Sequence, residues 1–118
     1  MAGYDNLSPK TVFDMIARGE CYVVDVRTPP EYEQHRIAGA HLLPVQELHE
    51  RCAEIPQSPD RIVVLVCEHG IRSRNACAAL TQAGWKRCAN MRGGMAEWLD
   101  EKLPVACGAE KDAVSLKP

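Results

Sequence analysis

Seven consecutive residues, Cys67-Glu68-His69-Gly70-Ile71-Arg72-Ser73, put a thiol, a glycine, a guanidinium and a hydroxyl within one short stretch. A sulfur nucleophile reacts as the thiolate, and a free cysteine with a pKa of about 8.5 is mostly thiol at neutral pH. Such a group therefore needs an environment that favours negative charge. A helix N-terminus supplies one through its unpaired N–H groups and partial positive charge. Gly70 lets the backbone curl so that successive N–H groups converge on one point. Arg72 and Arg74 add cationic character, and Ser73 offers a hydroxyl proton to a bound oxyanion or to the sulfur. The chemistry implied is that of a stabilised thiolate, or of a persulfide made from it.

That reading requires a strand before the cysteine and a helix after it, and the sequence provides both. Arg61 to Val66 is almost uninterrupted β-branched and apolar sequence, the pattern of a central parallel strand buried on both faces. Arg72 to Ala83 is rich in Ala and Leu and stops before Gly84, as a helix does. Cys67 is thus expected at the carboxyl end of a strand, where open α/β sheets bind ligands.

The remaining elements follow the same alternation. Ser8 and Pro9 begin a helix with Val12, Phe13 and Ile16 on one face, and Gly19 ends it. Cys21 to Val26 reads as a strand, Pro30 starts a short helix, and Gly39-Ala40 turns the chain. His41 to Leu43 is a brief strand closed by Pro44; Val45 to Ile55 has helical spacing at Leu48 and Cys52. Arg87 to Met91 is a further strand. Gly93-Gly94 then turns into a helix with Met95, Trp98 and Leu99 facing inward. Alternating strands and helices predict a single α/β domain over residues 1–106, with a parallel sheet flanked by helices on both faces. Cys107 to Pro118 is polar and aperiodic and is expected to be a mobile tail.

The 118 residues carry a formal net charge of -2, which gives no basic footprint for nucleic acid or for a membrane surface. Met1 to Asn6 lacks the charged and apolar parts of a signal peptide, and no apolar run approaches a bilayer span of ~20 residues. A reducing, cytoplasmic setting is expected. Of the six cysteines, no pair has C-x-x-C spacing, and His35, His41, His49 and His69 complete no metal signature with them. Neither a metal nor a disulfide framework is expected. Cys21, Cys52, Cys77 and Cys88 read as small core hydrophobes and Cys107 as exposed. Cys77, ten residues after Cys67, has a second reading as a resolving thiol.

Three segments together resemble the rhodanese superfamily of sulfurtransferases. Cys67 to Ser73 is similar to its active-site loop. Asp25-Val26-Arg27 with Glu31-Tyr32, Ile37 to Ala40 and Pro44 resembles its first signature, and Gly93 to Trp98 its last. They stand in the family's order and cover roughly Leu7 to Val105. The resemblance implies that Cys67 accepts a sulfane sulfur, becomes a persulfide, and passes the sulfur to cyanide or a thiol. It implies no metal and no organic cofactor. It also implies that Glu68, His69, Gly70, Ile71, Arg72 and Ser73 line the site, with Arg72 as the holder of an anionic donor such as thiosulfate. The partners it implies are a small sulfur donor, a thiol or cyanide acceptor, and optionally a sulfur-accepting protein. Neither nucleic acid nor membrane is among them.

The chain departs from the family pattern in two places. Glu68 stands where a basic or neutral residue is common, and its carboxylate is expected to repel a dianionic donor and partly offset Arg72. That favours a thiol or protein persulfide over thiosulfate. His35-Arg36 replaces the usual Gly-His and is expected to alter a surface turn. Loop length separates the chain from relatives: phosphatases and arsenate reductases of related fold use C-x5-R, whereas Arg72 completes C-x4-R and Ser73 holds the C-x5-R position, a shorter loop that suits sulfur. Those enzymes, and a sulfur-carrier or interaction module with little turnover, remain the alternatives. For single residues the plainer readings stay beside these. Arg72 also fits a pair with a surface carboxylate, and His69 a loop-lining role. Asp25 and Arg27 fit structural roles, with Asp25 capping turn N–H groups and Arg27 supporting the loop or pairing with Glu31.

Overall fold

The computed structural model describes residues 3–108. Five strands form one parallel sheet: β1 (Asp5–Leu7), β2 (Cys21–Asp25), β3 (His41–Leu42), β4 (Ile62–Val66) and β5 (Cys88–Met91), in the order β1-β5-β4-β2-β3. Five helices accompany them: α1 (Pro9–Ala17), α2 (Pro29–Gln34), α3 (Leu48–Arg51), α4 (Ile71–Gln82) and α5 (Gly94–Asp100). The side-chain alternation of β2 and β4 divides the core into two layers. Tyr22, Val24, Val63 and Leu65 pack under α3 and α4 with Leu48, Cys77 and Leu80. Cys21, Val23, Val64 and Val66 pack against α1 and α5 with Val12, Met95 and Trp98. The expected doubly covered α/β sheet is present. Among the described residues no helix is long and apolar enough to cross a membrane.

Local sequence explains the elements that position the site. Thr28 caps α2, its hydroxyl accepting from the Glu31 N–H while the Glu31 carboxylate accepts from the Thr28 N–H. That reciprocal box starts the helix at Pro29, one residue before the expected Pro30. Ile62–Val66 is buried at all five positions, as a central strand must be.

One element escapes the sequence reading and three expectations need correction. Asp5–Leu7 forms an edge strand that its polar sequence does not announce; it pairs with Ala89 to Met91 through backbone atoms. Val45–Ile55 is not one helix, because α3 is a single turn flanked by 3₁₀ turns at Val45–Glu47 and Cys52–Glu54. Leu99 is 37% exposed while Met95 and Trp98 are buried, since the seven-residue α5 turns Leu99 off its packed face. Arg36 is no surface-turn residue. It is 1% exposed, bridges backbone to backbone with Ala106, and donates through Nη1 to the Gly108 carbonyl at 2.7 Å. With the Gly108 N–H donating to Glu33, packing continues through Gly108. The remainder of the expected tail lies outside the described residues.

Candidate active site

Cys67 ends β4, and the chain reverses over Glu68, His69 and Gly70 before α4 begins. Gly70 holds φ +89°, a left-handed conformation that side chains rarely adopt. A Cβ there would also lie 3.0 Å from the Gly93 backbone nitrogen. This turn aims the start of α4 at the thiol. The Gly70 N–H donates to Cys67 Sγ at 3.0 Å and the Ser73 N–H at 3.4 Å, with Ser73 Oγ 3.3 Å away. Cys67 is buried at the floor of this cradle, Ile71 is exposed at its mouth, and His69 faces solvent.

A second helix fixes the outer side of the loop. The Met95 and Ala96 N–H groups, in the first turn of α5, donate to the carbonyls of Cys67 and Glu68 at 2.9 and 3.0 Å. With those carbonyls tied to α5, the loop N–H groups are left to face the sulfur. The approach is so close that a Cβ on Gly94 would stand 2.5 Å from both carbonyl oxygens. Gly93-Gly94 is therefore the backbone turn beside the site that the sequence suggested, and Gly94 is in addition a contact surface that admits no side chain.

The charges around the loop are arranged in closed pairs. Arg27 and Asp25 are both buried, with Arg27 Nε and Nη2 donating to the carboxylate at 2.8 to 3.2 Å. Asp25 also accepts from the Arg27 N–H, the turn-capping role expected of it. Arg27 Nη1 reaches Glu68 Oε1 at 3.2 Å, and Nη2 the His35 carbonyl at 2.7 Å. Burial opposes the charge on Arg27; the bonds and charge of Asp25, with Glu68 and Glu31, more than offset it and hold the guanidinium protonated. The pairing of Arg27 with Glu31 does not occur.

Glu31 instead clamps Arg72, with two bonds of 2.9 Å between guanidinium and carboxylate. The Arg72 bonds come first among the causes that bring the Glu31 carboxyl down to about 2, with Thr28 helping against burial. Arg72 thus takes the plainer of its two readings, a pair with a carboxylate. Glu68 offsets Arg27 and not Arg72, because Glu31 already occupies that arginine. The two guanidiniums face three carboxylates, Asp25, Glu31 and Glu68.

The other thiols lie apart from this chemistry. Cys77 is buried within the α4 layer, and burial, with the neighbouring Cys88, pushes its pKa far above the ordinary value. A thiol so held gives no support to a resolving role. Burial likewise raises Cys88 and Cys21 to about 11. Cys107 is exposed and Cys52 half-buried, and every cysteine is a free thiol. Among the described residues no group of three or more His, Cys, Asp or Glu is placed to hold a metal ion. Two polar residues outside the sequence-derived set belong to the site. Ser73 Oγ lies 2.5 Å from Asn90 Oδ1, and Asn90 Nδ2 donates to Asn6 Oδ1 at 3.0 Å. Asn90 interrupts an apolar strand, and that was the available signal.

Comparison with known proteins agrees with this geometry. The Rhodanese-like domain pattern matches residues 8–101. A sulfurtransferase of Allochromatium vinosum is 45% identical over 83 residues, 70% of this chain and 76% of that protein. A probable adenylyltransferase/sulfurtransferase, MoeZ, of Mycobacterium tuberculosis is 34% identical over 101 residues, 83% of this chain but 25% of that protein. A rhodanese-related protein from Thermoplasma volcanium superposes with a TM-score of 0.80 at 29% identity, covering 87% of this chain and 98% of the other.

Proposed function

We propose that this chain, which belongs to the rhodanese-like domain family, is a sulfurtransferase that carries a sulfane sulfur as a persulfide on Cys67. The observation that carries the reading is the convergence of the Gly70 and Ser73 N–H groups on Cys67 Sγ. The cradle offers a sulfur anion backbone N–H groups, and among the described residues no guanidinium hydrogen-bonds to Cys67.

In the first half-reaction the Cys67 thiolate attacks the outer sulfur of the donor. A new S–S bond forms to Sγ, the donor's S–S bond breaks, and its electron pair leaves with the departing thiolate or sulfite. In the second, a thiolate or cyanide attacks the outer sulfur of Cys67–S–S⁻, and Cys67 leaves as thiolate. Sγ returns to its starting state and no electrons are gained or lost overall. Between turnovers Cys67 must be a free thiol, which fits a reducing compartment such as the cytoplasm.

The paired charges favour a particular donor. Thiosulfate would bring two negative charges to an array in which both arginines are already bound to carboxylates. A thiol persulfide, small or on a protein, brings one at most. Persulfide donors and thiol acceptors are therefore the preferred substrates, with thiosulfate and cyanide used less efficiently.

Intact mass of the purified protein after brief exposure to thiosulfate or cysteine persulfide tests this directly, beside Cys67→Ala. The expected result is a gain of one sulfur, reversed by dithiothreitol, faster with the persulfide and absent in the variant. An equal gain in Cys67→Ala, or none in the wild type with either donor, would overturn the assignment.

A further inference from the structure

Behind the thiol runs a chain of three polar side chains with no charge among them. Ser73 is fully buried and Asn90 is 3% exposed, whereas Asn6 is exposed on the edge strand β1. Ser73 Oγ stands between Cys67 Sγ at 3.3 Å and Asn90 Oδ1 at 2.5 Å. A hydroxyl has one proton to give, and an amide oxygen can only accept. The shorter contact takes the proton, so Ser73 presents a lone pair to the sulfur. That arrangement suits Cys67 as S–H, donating to Ser73, and leaves a thiolate without its third donor.

Turning over the Asn90 amide reverses the polarity of the chain. Asn90 Nδ2 then donates to Ser73 Oγ, the Ser73 proton turns to Sγ, and Asn90 Oδ1 accepts from the Asn6 amide once that has turned too. Asn6 is free to turn because it lies at the surface. Every buried polar atom is satisfied in both arrangements, which is what makes two states possible in a buried network. No proton travels along the chain; the proton lost from sulfur goes to solvent base, and the amides only reorient.

We propose that Asn90, backed by Asn6, is a positioning residue that sets the direction of the Ser73 hydroxyl and thereby selects between the thiol and the sulfur anion of Cys67. The charged groups of the elements that build the site are Asp25 at the end of β2, Arg27 after it, Glu31 on α2, Glu68 in the loop and Arg72 on α4. Among the described residues none of them hydrogen-bonds to Ser73, Asn90 or Asn6, so they act alike in all variants of the chain.

The pH dependence of Cys67 alkylation by iodoacetamide, followed by peptide mass in a Cys52→Ser/Cys107→Ser background, reads the thiolate directly. Asn90→Leu removes the competing acceptor, frees the Ser73 proton for Sγ, and is expected to lower the midpoint by about one pH unit, the value of one charge-assisted hydrogen bond. Asn6→Asp, an acceptor at both oxygens, locks the Asn90 amide in the orientation described and is expected to raise it. In a Ser73→Ala background Asn90→Leu should move nothing, and Asn6→Asp should keep only the smaller rise that its added charge produces through space. A loss of packing alone would not shift the midpoint in opposite directions at the two asparagines. A midpoint at or above wild type in Asn90→Leu, or a fall that persists with Ser73→Ala, overturns the proposal. Should Asn90→Leu fail to fold, Asn6→Asp decides: a rise larger than the one it gives in Ser73→Ala supports the chain, and an equal rise or none overturns it. The titration concerns the thiol alone, so its outcome is independent of which donor the protein uses.

Discussion

Helices α4 and α5 both begin behind a glycine in the left-handed region, φ +89° at Gly70 and +75° at Gly93, yet their free N–H groups serve different atoms. Those of α4 address a side-chain sulfur, and those of α5 the carbonyls of Cys67 and Glu68. Both satisfy the same requirement, since the first turn of any helix leaves N–H groups without intrahelical partners. The difference lies in what fills the space in front. Before α4 the backbone curves away and the Cys67 sulfur takes the space. Before α5 the loop backbone itself fills the space, in contact so close that Gly94 has no room for a methyl group. One terminus binds the Cys67 sulfur, and the other holds in shape the loop that makes such binding possible.

If that division is right, damage at α5 should cost more than damage at α4, although α5 never touches the sulfur. Gly94→Ala forces a Cβ to within 2.5 Å of backbone atoms that cannot rotate away, at φ +60°. The left-handed conformation alone costs roughly 1–2 kcal/mol. With the overlap added, urea unfolding should show a loss above about 2 kcal/mol. Displacement of the loop by a fraction of an ångström to one ångström should reduce sulfur transfer about a hundredfold. A variant with wild-type activity would break the comparison.

Gly70→Ala sharpens it. Its Cβ would meet the Gly93 nitrogen at 3.0 Å, a contact that yields to a small shift, so the stability loss should stay near the ~1–2 kcal/mol of the backbone conformation. The effect on chemistry is more specific. The Gly70 N–H makes the shortest bond to Sγ, and moving it should raise the midpoint of Cys67 alkylation by up to about one unit. Turnover should fall about tenfold, measured as sulfide release from cysteine persulfide with excess dithiothreitol. Equal losses in the two glycine variants would erase the distinction between the two termini.

The sulfur-facing half of this arrangement was legible in the sequence and the shaping half much less so. The apolar run before Cys67, Gly70 after it and the Ala-rich stretch beyond are local signals, and local signals specify strand, turn and helix N-terminus together. Asp25 likewise reads as a turn cap, but Arg27 reads as a partner of Glu31, whereas it bonds Asp25 two positions away. The Arg72–Glu31 pair is not legible either, since the partners are 41 positions apart and meet only when α2 packs beside α4. The short strand at Asp5–Leu7 escaped for a related reason: backbone pairing with β5 creates it, not a hydrophobic pattern. Gly94 and Asn90 were visible as residue types, a second glycine and a lone amide in an apolar strand. What each one touches belongs to the fold.

The smallest expected effect falls on the clamp that separates Arg72 from the substrate. Glu31→Gln keeps an oxygen for the Thr28 cap and removes the charge. Freed in part, Arg72 should raise kcat/KM for thiosulfate by about two- to fivefold, the scale of a partly exposed ion pair, and leave cysteine persulfide nearly unaffected. Stability should change with pH in a defined sense. The Glu31 carboxyl titrates at about 2 in the folded protein against an ordinary 4.5, so its contribution is complete above pH 4.5 and is lost as pH falls toward 2. With about a third of the side chain exposed, that contribution is of order 1 kcal/mol. Wild type should therefore exceed Glu31→Gln in Tm at pH 6, and the two curves should converge between pH 4.5 and 2. Parallel curves across that range would mean that the carboxylate's charge does not hold the clamp, and Arg72 would again be available to an anionic donor.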